Sequence, residues 1–243
     1  QTGELHFLAP SLSATDNTDF FIYYGNASGS DYPDDNPNGA EAVWINNFAF
    51  VSHDGGGTGS TSSGINGIPQ GGVIAGDSEG RIGDATYFDG SDDGIALGTD
   101  LMVVEDFTVS LFTKSTEPFS TTYRPHYFGA GNYFYLITET TGKPKIYRHS
   151  SDGWLYAEET TGTQAYNDWV FLSGTYDGSS LKIYENGLHV GSEMATGNLS
   201  TPSTDLYVGY AYSGAANQWM HGVIDEVRIS NTARSQGWIS AEY

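Results

Sequence analysis

The chain has no cysteine. Thiol catalysis, zinc–thiolate sites and disulfide staples are therefore excluded, and stability has to come from a packed core. Basic residues are scarce as well: 9 Lys and Arg face 30 Asp and Glu, for a formal net charge of −21. A surface this negative repels phosphate backbones, and no Lys/Arg cluster offers a local exception. Nucleic-acid binding is not expected, and anionic membranes and strongly anionic glycans are disfavoured for the same reason. No apolar run approaches the length that spans a bilayer, so membrane insertion is not expected either. No leader-like stretch follows Gln1, which fits a processed or excised chain. Helical periodicity is nearly missing; only residues 235–242 fit a turn of helix, with Ser235 placed to cap it.

What is present points to strands. Among 243 residues there are 32 glycines, and aromatics make up 14%. That composition suits a β protein with many turns and enough chain for a full core. The clearest stretch is Trp169-Val170-Phe171-Leu172-Ser173-Gly174-Thr175-Tyr176-Asp177-Gly178, followed by Leu181-Lys182-Ile183-Tyr184-Glu185-Asn186-Gly187. Apolar alternation broken by Asp-Gly and Asn-Gly predicts antiparallel hairpins, with Asn186-Gly187 taking the positive φ angles of a primed turn. From residue 86 to 229 such strands recur at short intervals, as in a sandwich of two antiparallel sheets. Upstream, residues 6–8 and 20–24 read as two strands, 31–39 as a linker or long loop, and 43–51 as another strand. The run at 55–64 reads as a flexible surface loop, since a phosphate-binding loop would need a Lys and a following helix.

Five pieces occur together in one order: Phe88-Asp89-Gly90-Ser91-Asp92-Asp93, Phe107-Thr108-Val109-Ser110-Leu111-Phe112, the segment from Trp169 to Gly178, the segment from Leu181 to Gly187, and Gly222-Val223-Ile224-Asp225-Glu226-Val227-Arg228-Ile229. Together they resemble the laminin-G-like, concanavalin-A-like jelly-roll family in its bacterial form, over residues 41–243. The resemblance implies an all-β fold, an antiparallel two-sheet β-sandwich. Residues 1–40 instead resemble the tail of an uncharacterised β-rich domain, and are expected to be an N-terminal β-strand segment or the remnant of such a preceding domain.

Glucanases of this fold carry Glu-x-Asp-x-Glu on one strand, where alternation puts three carboxylates on one face. This chain has no such triplet. Glu158-Glu159 and Asp225-Glu226 are adjacent pairs, expected to point to opposite faces. The histidines (His6, His53, His126, His149, His189, His221) are scattered without metal-ligand spacing, and there is no Gly-x-Ser-x-Gly elbow. Hydrolase activity is not expected. Metal binding has better support. Asp225 has the parity of Val223, Val227 and Ile229, and a carboxylate in an apolar row is costly unless bonded. The resemblance implies that the final strand's Asp holds a structural calcium, Ca2+, with Asp89 or a carbonyl near Gly90 as its neighbour. Glycine-rich turns supply the hard oxygens that calcium takes. The other reading of Asp225 is a carboxylate bonded to backbone N–H groups, or paired with Arg228 or Arg81.

Sugar recognition uses aromatic rings as platforms, flanked by polar groups that read hydroxyls. The richest cluster holds Arg124, His126, Tyr127, Asn132, Tyr147, Arg148 and Trp154, with Trp154 expected to project from a turn. A second group is Tyr210, Tyr212, Asn217, Gln218 and Trp219. The alternative is that these rings simply flank sheet faces, as Trp44 and Trp169 are expected to do within the core. The resulting expectation is a non-catalytic, calcium-stabilised, lectin-like module of a secreted or cell-surface bacterial protein, with a glycan or polysaccharide as partner. The alternative is a structural or adhesive module whose N-terminal strands pair with a neighbouring protein subunit.

Overall fold

Period-two alternation becomes two stacked antiparallel sheets. The computed structural model describes residues 6–9, 13, 15–20, 29–30, 33, 35–37, 39–101, 106–210 and 218–243. In chain order the strands are β1 (Phe48–Ser52), β2 (Ile68–Gln70), β3 (Ser78–Glu79), β4 (Asp84–Asp89), β5 (Gly94–Gly98), β6 (Phe107–Ser115), β7 (His126–Ala130) and β8 (Phe134–Thr138). They continue with β9 (Pro144–Ser150), β10 (Gly153–Glu158), β11 (Val170–Tyr176), β12 (Ser180–Glu185), β13 (Leu188–Met194), β14 (Leu206–Val208) and β15 (His221–Ser230), and helix α1 (Gln236–Glu242) closes the order. The eight-stranded sheet runs β13-β12-β11-β6-β15-β4-β3, with β1 also paired to β15; the seven-stranded sheet runs β10-β9-β8-β7-β14-β5-β2. Strands β4 and β1 share one edge of β15, the first along His221 to Ile224, the second along Val227 to Ser230. Among the described residues no helix is long and apolar enough to cross a membrane.

The core lies between the sheets. Phe107, Val109 and Leu111 of β6 meet Phe128, Phe134, Leu136 and Ile146 of the opposite sheet, all fully buried. Phe107 and Phe134 stack with ring centroids 4.9 Å apart. Each such side chain contributes about 1.5–3 kcal/mol by leaving water. A smaller cluster of Phe112, Phe171, Tyr184 and Ile239 covers the outer face of the eight-stranded sheet, and Ile82 and Trp169 pack on it. Helix α1 holds this cluster down. Its N-cap Ser235 accepts from Trp238 N, while Gln236 and Ser240 both donate to Gly187 O. Asn186 and Gly187 have φ of 50° and 75°, as their primed turn requires.

Several expectations are corrected here. Residues 6–9 and 20 are not in strands, and the rest of the expected second N-terminal strand (21–24) lies outside the described residues. The glycine run is no loose surface loop at its start, because Gly55, Gly56 and Gly57 are buried. A Cβ on Gly55, at φ +82°, would stand 2.3 Å from Ile224 O, so only glycine lets this turn seat against β15. Trp44 and Trp169 are half-buried outside the main core. Trp169 packs on the outer cluster with Lys114 Nζ 5.2 Å above its ring, and Trp44 lies 5.5 Å from the Arg228 guanidinium.

The largest correction concerns β15. Its pairing with β6 shifts register between Asp225 and Arg228, and Glu226 sits at φ +51°. This bulge sets two residues against one, so the alternation changes phase there. Ile224, Val227 and Ile229 face the core, whereas Asp225 pairs with Phe112 of the outer cluster. Asp225 is thus out of phase with Val227 and Ile229. Glu226 bonds outward to His53 and Arg228, so Asp225 and Glu226 share the outer face rather than opposing each other.

Candidate functional site

The outer face of β7–β10 gathers the aromatic cluster. Register aligns Tyr135 with Tyr147 and Tyr147 with Tyr156, while Trp154 pairs with His149. Residues paired in this way share a face. Trp154 lies within strand β10 rather than on a turn, and is 40% exposed. Its ring stacks on Tyr135 at 5.0 Å, tilts against His149 at 4.7 Å and meets Tyr147 edge-on at 6.3 Å. The Trp154, Tyr135 and Tyr147 rings wall a depression of about 480 Å³ whose polar lining includes Arg124, His126, Asn132, Ser203 and Gln218. Asn132 enters from the turn after β7, at φ +53°.

Polar atoms at this depression are incompletely satisfied. Both ring nitrogens of His126, Arg124 Nε and Gln218 Oε1 are buried without a hydrogen-bond partner. Burial, reinforced by the nearby Arg124 charge, pushes His126 down to about 3 from its ordinary 6.5, so the imidazole is neutral at physiological pH. Tyr147 donates to Glu139 at 2.7 Å, and Glu139 is also approached by Lys145 at 3.4 Å and Arg124 at 3.6 Å. Burial and then the Glu139 contact push the Tyr147 phenol up, which keeps it a donor.

Tyr127 and Arg148 belong elsewhere. The register of β7 slips between His126 and Phe128, leaving His126 outside and Tyr127 in the core, where its hydroxyl donates to Thr138. Arg148 follows Tyr147 and so points inward. It donates to Thr196 O and Gly197 O and lies 4.2 Å over the Tyr176 ring. Trp219 is half-buried next to Gln218 and stacks on Tyr210 at 3.7 Å. Tyr212 and Asn217 lie outside the described residues. Sequence reasoning missed Tyr135, Ser203 and Gly131, which line the same depression. Tyr135 was within reach, since it sits in an alternating stretch two residues from Ile137 on the same face.

The acidic residues do not assemble as expected. Asp89 pairs with His221 at the start of β15, and Asp225 lies four residues along, about 13 Å at strand rise. A Cβ on Gly90 would meet His221, not Asp225. Asp89 instead joins Asp92 and Asp93, whose carboxylates are partly taken by backbone: Asp93 Oδ2 accepts from Asp89 N at 2.8 Å. Asp225 is fully buried, and its Oδ2 accepts from Ile82 N at 2.9 Å while Oδ1 has no partner. Burial, helped by the neighbouring Glu226 charge, raises its pKa to about 7 against the pull of the Ile82, Arg81 and Glu226 backbone N–H groups. A Cβ on Gly80 would stand 2.7 Å from Oδ2, so the 76–84 segment wraps tightly around this carboxylate. That segment, with His53 and Asp54, borders a second depression of about 880 Å³.

No curated protein matches the chain by sequence. Among solved structures, the fold is similar to domain 4 of AbnA, a GH43 extracellular arabinanase from Geobacillus stearothermophilus, in complex with arabinotriose. There the TM-score is 0.65 and the identity 22%, over 80% of this chain and 97% of that one. It is also similar to the binding domain of Paraclostridial Mosquitocidal Protein 1, with TM-score 0.64, identity 13%, and coverage of 81% of this chain and 51% of that one. A third is the binding domain of Botulinum Neurotoxin DC in complex with SialylT, with TM-score 0.60, identity 12%, and coverage of 81% and 51%. The chain therefore spans nearly all of the arabinanase domain and about half of the toxin binding domains. At these identities the likeness establishes the fold alone. With residues 89–240 matching the family model of the Concanavalin A-like lectin/glucanases superfamily, over more than half its length, the chain belongs to that superfamily.

Proposed function

We propose that the protein is a non-catalytic carbohydrate-binding module of a secreted or cell-surface protein, and that the outer face of β7–β10 takes a neutral glycan. One observation carries this reading: an exposed Trp154 stands beside buried polar atoms of Arg124, His126 and Gln218 that lack partners. A sugar ring offers an apolar C–H face for the indole. Its hydroxyls each donate and accept, so one ligand can satisfy both the Arg124 Nε donor and the Gln218 Oε1 acceptor. Binding then relieves a desolvation cost of about 1–3 kcal/mol per unpaired group. Among the residues lining the depression none is Asp or Glu, and glycoside hydrolysis by the usual route needs two carboxylates. The arabinotriose-bound relative supports a glycan as ligand class.

Calcium is assigned in this proposal to Asp225 and the 76–84 segment, with Asp89 and Gly90 left out. The fit rests on the orphaned Asp225 Oδ1 and on the oxygen-bearing Asp77, Glu79 and Asp84 of the segment that packs against this residue at Gly80 and Ile82. A bound calcium would supply the positive charge that this carboxylate lacks. Calorimetric titration with neutral oligosaccharides, arabinan-, xylan- and glucan-derived, tests the binding reading. Saturable binding that Trp154→Ala removes supports it, and silence across a broad neutral glycan array sinks it.

A further inference from the structure

The six histidines are far apart in sequence, yet the fold brings two of them together. His6 and His53 stack with ring centroids 4.1 Å apart and planes 25° from parallel. His53 Nδ1 hydrogen-bonds Glu226 Oε1 at 2.7 Å. One ligand atom from each of His6, His53 and Glu226 lies within 4.8 Å of the other two. We propose that these three side chains bind a borderline divalent transition metal, of the zinc(II) or cobalt(II) type, which clasps the segment carrying His6 onto the sandwich.

The donor set selects the metal. Two imidazoles and one carboxylate suit zinc, cobalt, nickel or copper, whereas calcium takes oxygen ligands. This separates the site from the calcium reading at Asp225, which uses oxygen donors alone. Three protein ligands leave a coordination position for water. On binding, the ion takes the place of the hydrogen between His53 Nδ1 and Glu226 Oε1, and the neutral imidazole carries its one ring proton on Nε2.

The supporting shell is already arranged. Glu226 is 1% exposed, and Arg228 Nη2 donates to its Oε2 at 2.6 Å, which leaves Oε1 turned toward the imidazoles. Arg228 is itself held between the Trp44 ring and Glu242. Trp44 also walls both histidines, at 5.5 Å from His6 and 5.4 Å from His53, limiting how far either ring can swing. Outer contacts of this kind fix ligand orientation at metal centres. The backbone adds an independent sign. A left-handed φ of +51° at a non-glycine residue inside a strand costs about 1–3 kcal/mol, and such strain concentrates at functional sites. An entry path exists as well, since the His53 side chain is 24% exposed and borders the 880 Å³ depression.

Cobalt(II) titration of the untagged full chain, followed by visible d–d absorption, reads coordination directly. The expected result is a band that saturates stoichiometrically and is bleached by zinc. His53→Ala should abolish it, and His6→Ala should weaken cobalt binding by at least about tenfold. Glu226→Gln removes an ion-pair partner of Arg228 and can perturb β15, so the two histidine variants decide, with far-UV circular dichroism confirming their fold. A wild-type chain that gives no band, or a His6→Ala/His53→Ala double variant with unchanged cobalt affinity, overturns the proposal and leaves a hydrogen-bonded cluster only.

Discussion

Trp154 lies almost parallel to Tyr135, ring centroids 5.0 Å apart and planes 16° from coplanar, on adjoining parts of one sheet face. The stack commits one face of the indole to protein while 40% of the side chain stays exposed at the depression. Trp154→Ala should therefore cost more than about 2 kcal/mol of glycan binding, roughly thirtyfold in Kd. Because the side chain is 40% exposed, the same change should cost no more than about 1 kcal/mol of folding stability. Calorimetry and urea melts on the same protein separate the two effects.

His126 predicts a pH dependence. Its folded-state pKa is depressed to about 3 from 6.5 by burial and by Arg124, so the unfolded chain binds a proton that the native state refuses. This group's contribution is fully present above 6.5 and is lost as pH falls from there toward 3. The slope is up to about 1.4 kcal/mol per pH unit. Urea unfolding between about pH 7 and about pH 5 should show a loss of roughly 2 kcal/mol from this source, and a flatter profile for His126→Gln. Parallel profiles for the two proteins would contradict it.

Asp225 predicts a calcium response. If the ion binds only the folded chain, a hundredfold excess over Kd adds about 2.7 kcal/mol, so chelation should lower Tm measurably. Asp225→Ala should melt at the same temperature with and without chelator. Superimposable melting curves for the wild-type chain in calcium and in chelator would refute the assignment.

Arg148 separates packing from recognition. Truncation to Ala leaves Thr196 O and Gly197 O without their donors and strips a cation from the Tyr176 ring. We expect a loss of about 2–4 kcal/mol in stability. Glycan affinity of the folded fraction should stay within about twofold of wild type. A selective loss of affinity would place Arg148 in recognition after all.

The architecture was readable because its signals are local. Asn186-Gly187 demanded a primed turn and Ser235 a helix cap, and both occur where those residues stand. The aromatic cluster was readable only by segment. Alternation assigns Tyr147 and Arg148 to opposite faces, and it separates Tyr127 from His126 in the same way. Features set by tertiary contact escaped. Composition makes Gly55 a loop residue, and nothing nearby in sequence announces that Ile224 O will press against it. Likewise His53 and Glu226 are 173 residues apart, so no spacing rule could unite them. The bulge in β15 has no compositional mark either, and it alone reversed the side of Asp225.

That bulge has a further meaning for the strand that carries it. Asp225 aligns with Phe112 and Arg228 with Ser110, so two residues fill the slot opposite Leu111 where one would do. Without Glu226, Val227 would stand opposite Leu111, inward-facing both before and after, and the β6–β15 alternation would run unbroken. The β6 ladder itself thus has no need of this residue. Its surplus position in β15 sets one more carboxylate on the outer wall, within reach of His53 and Arg228.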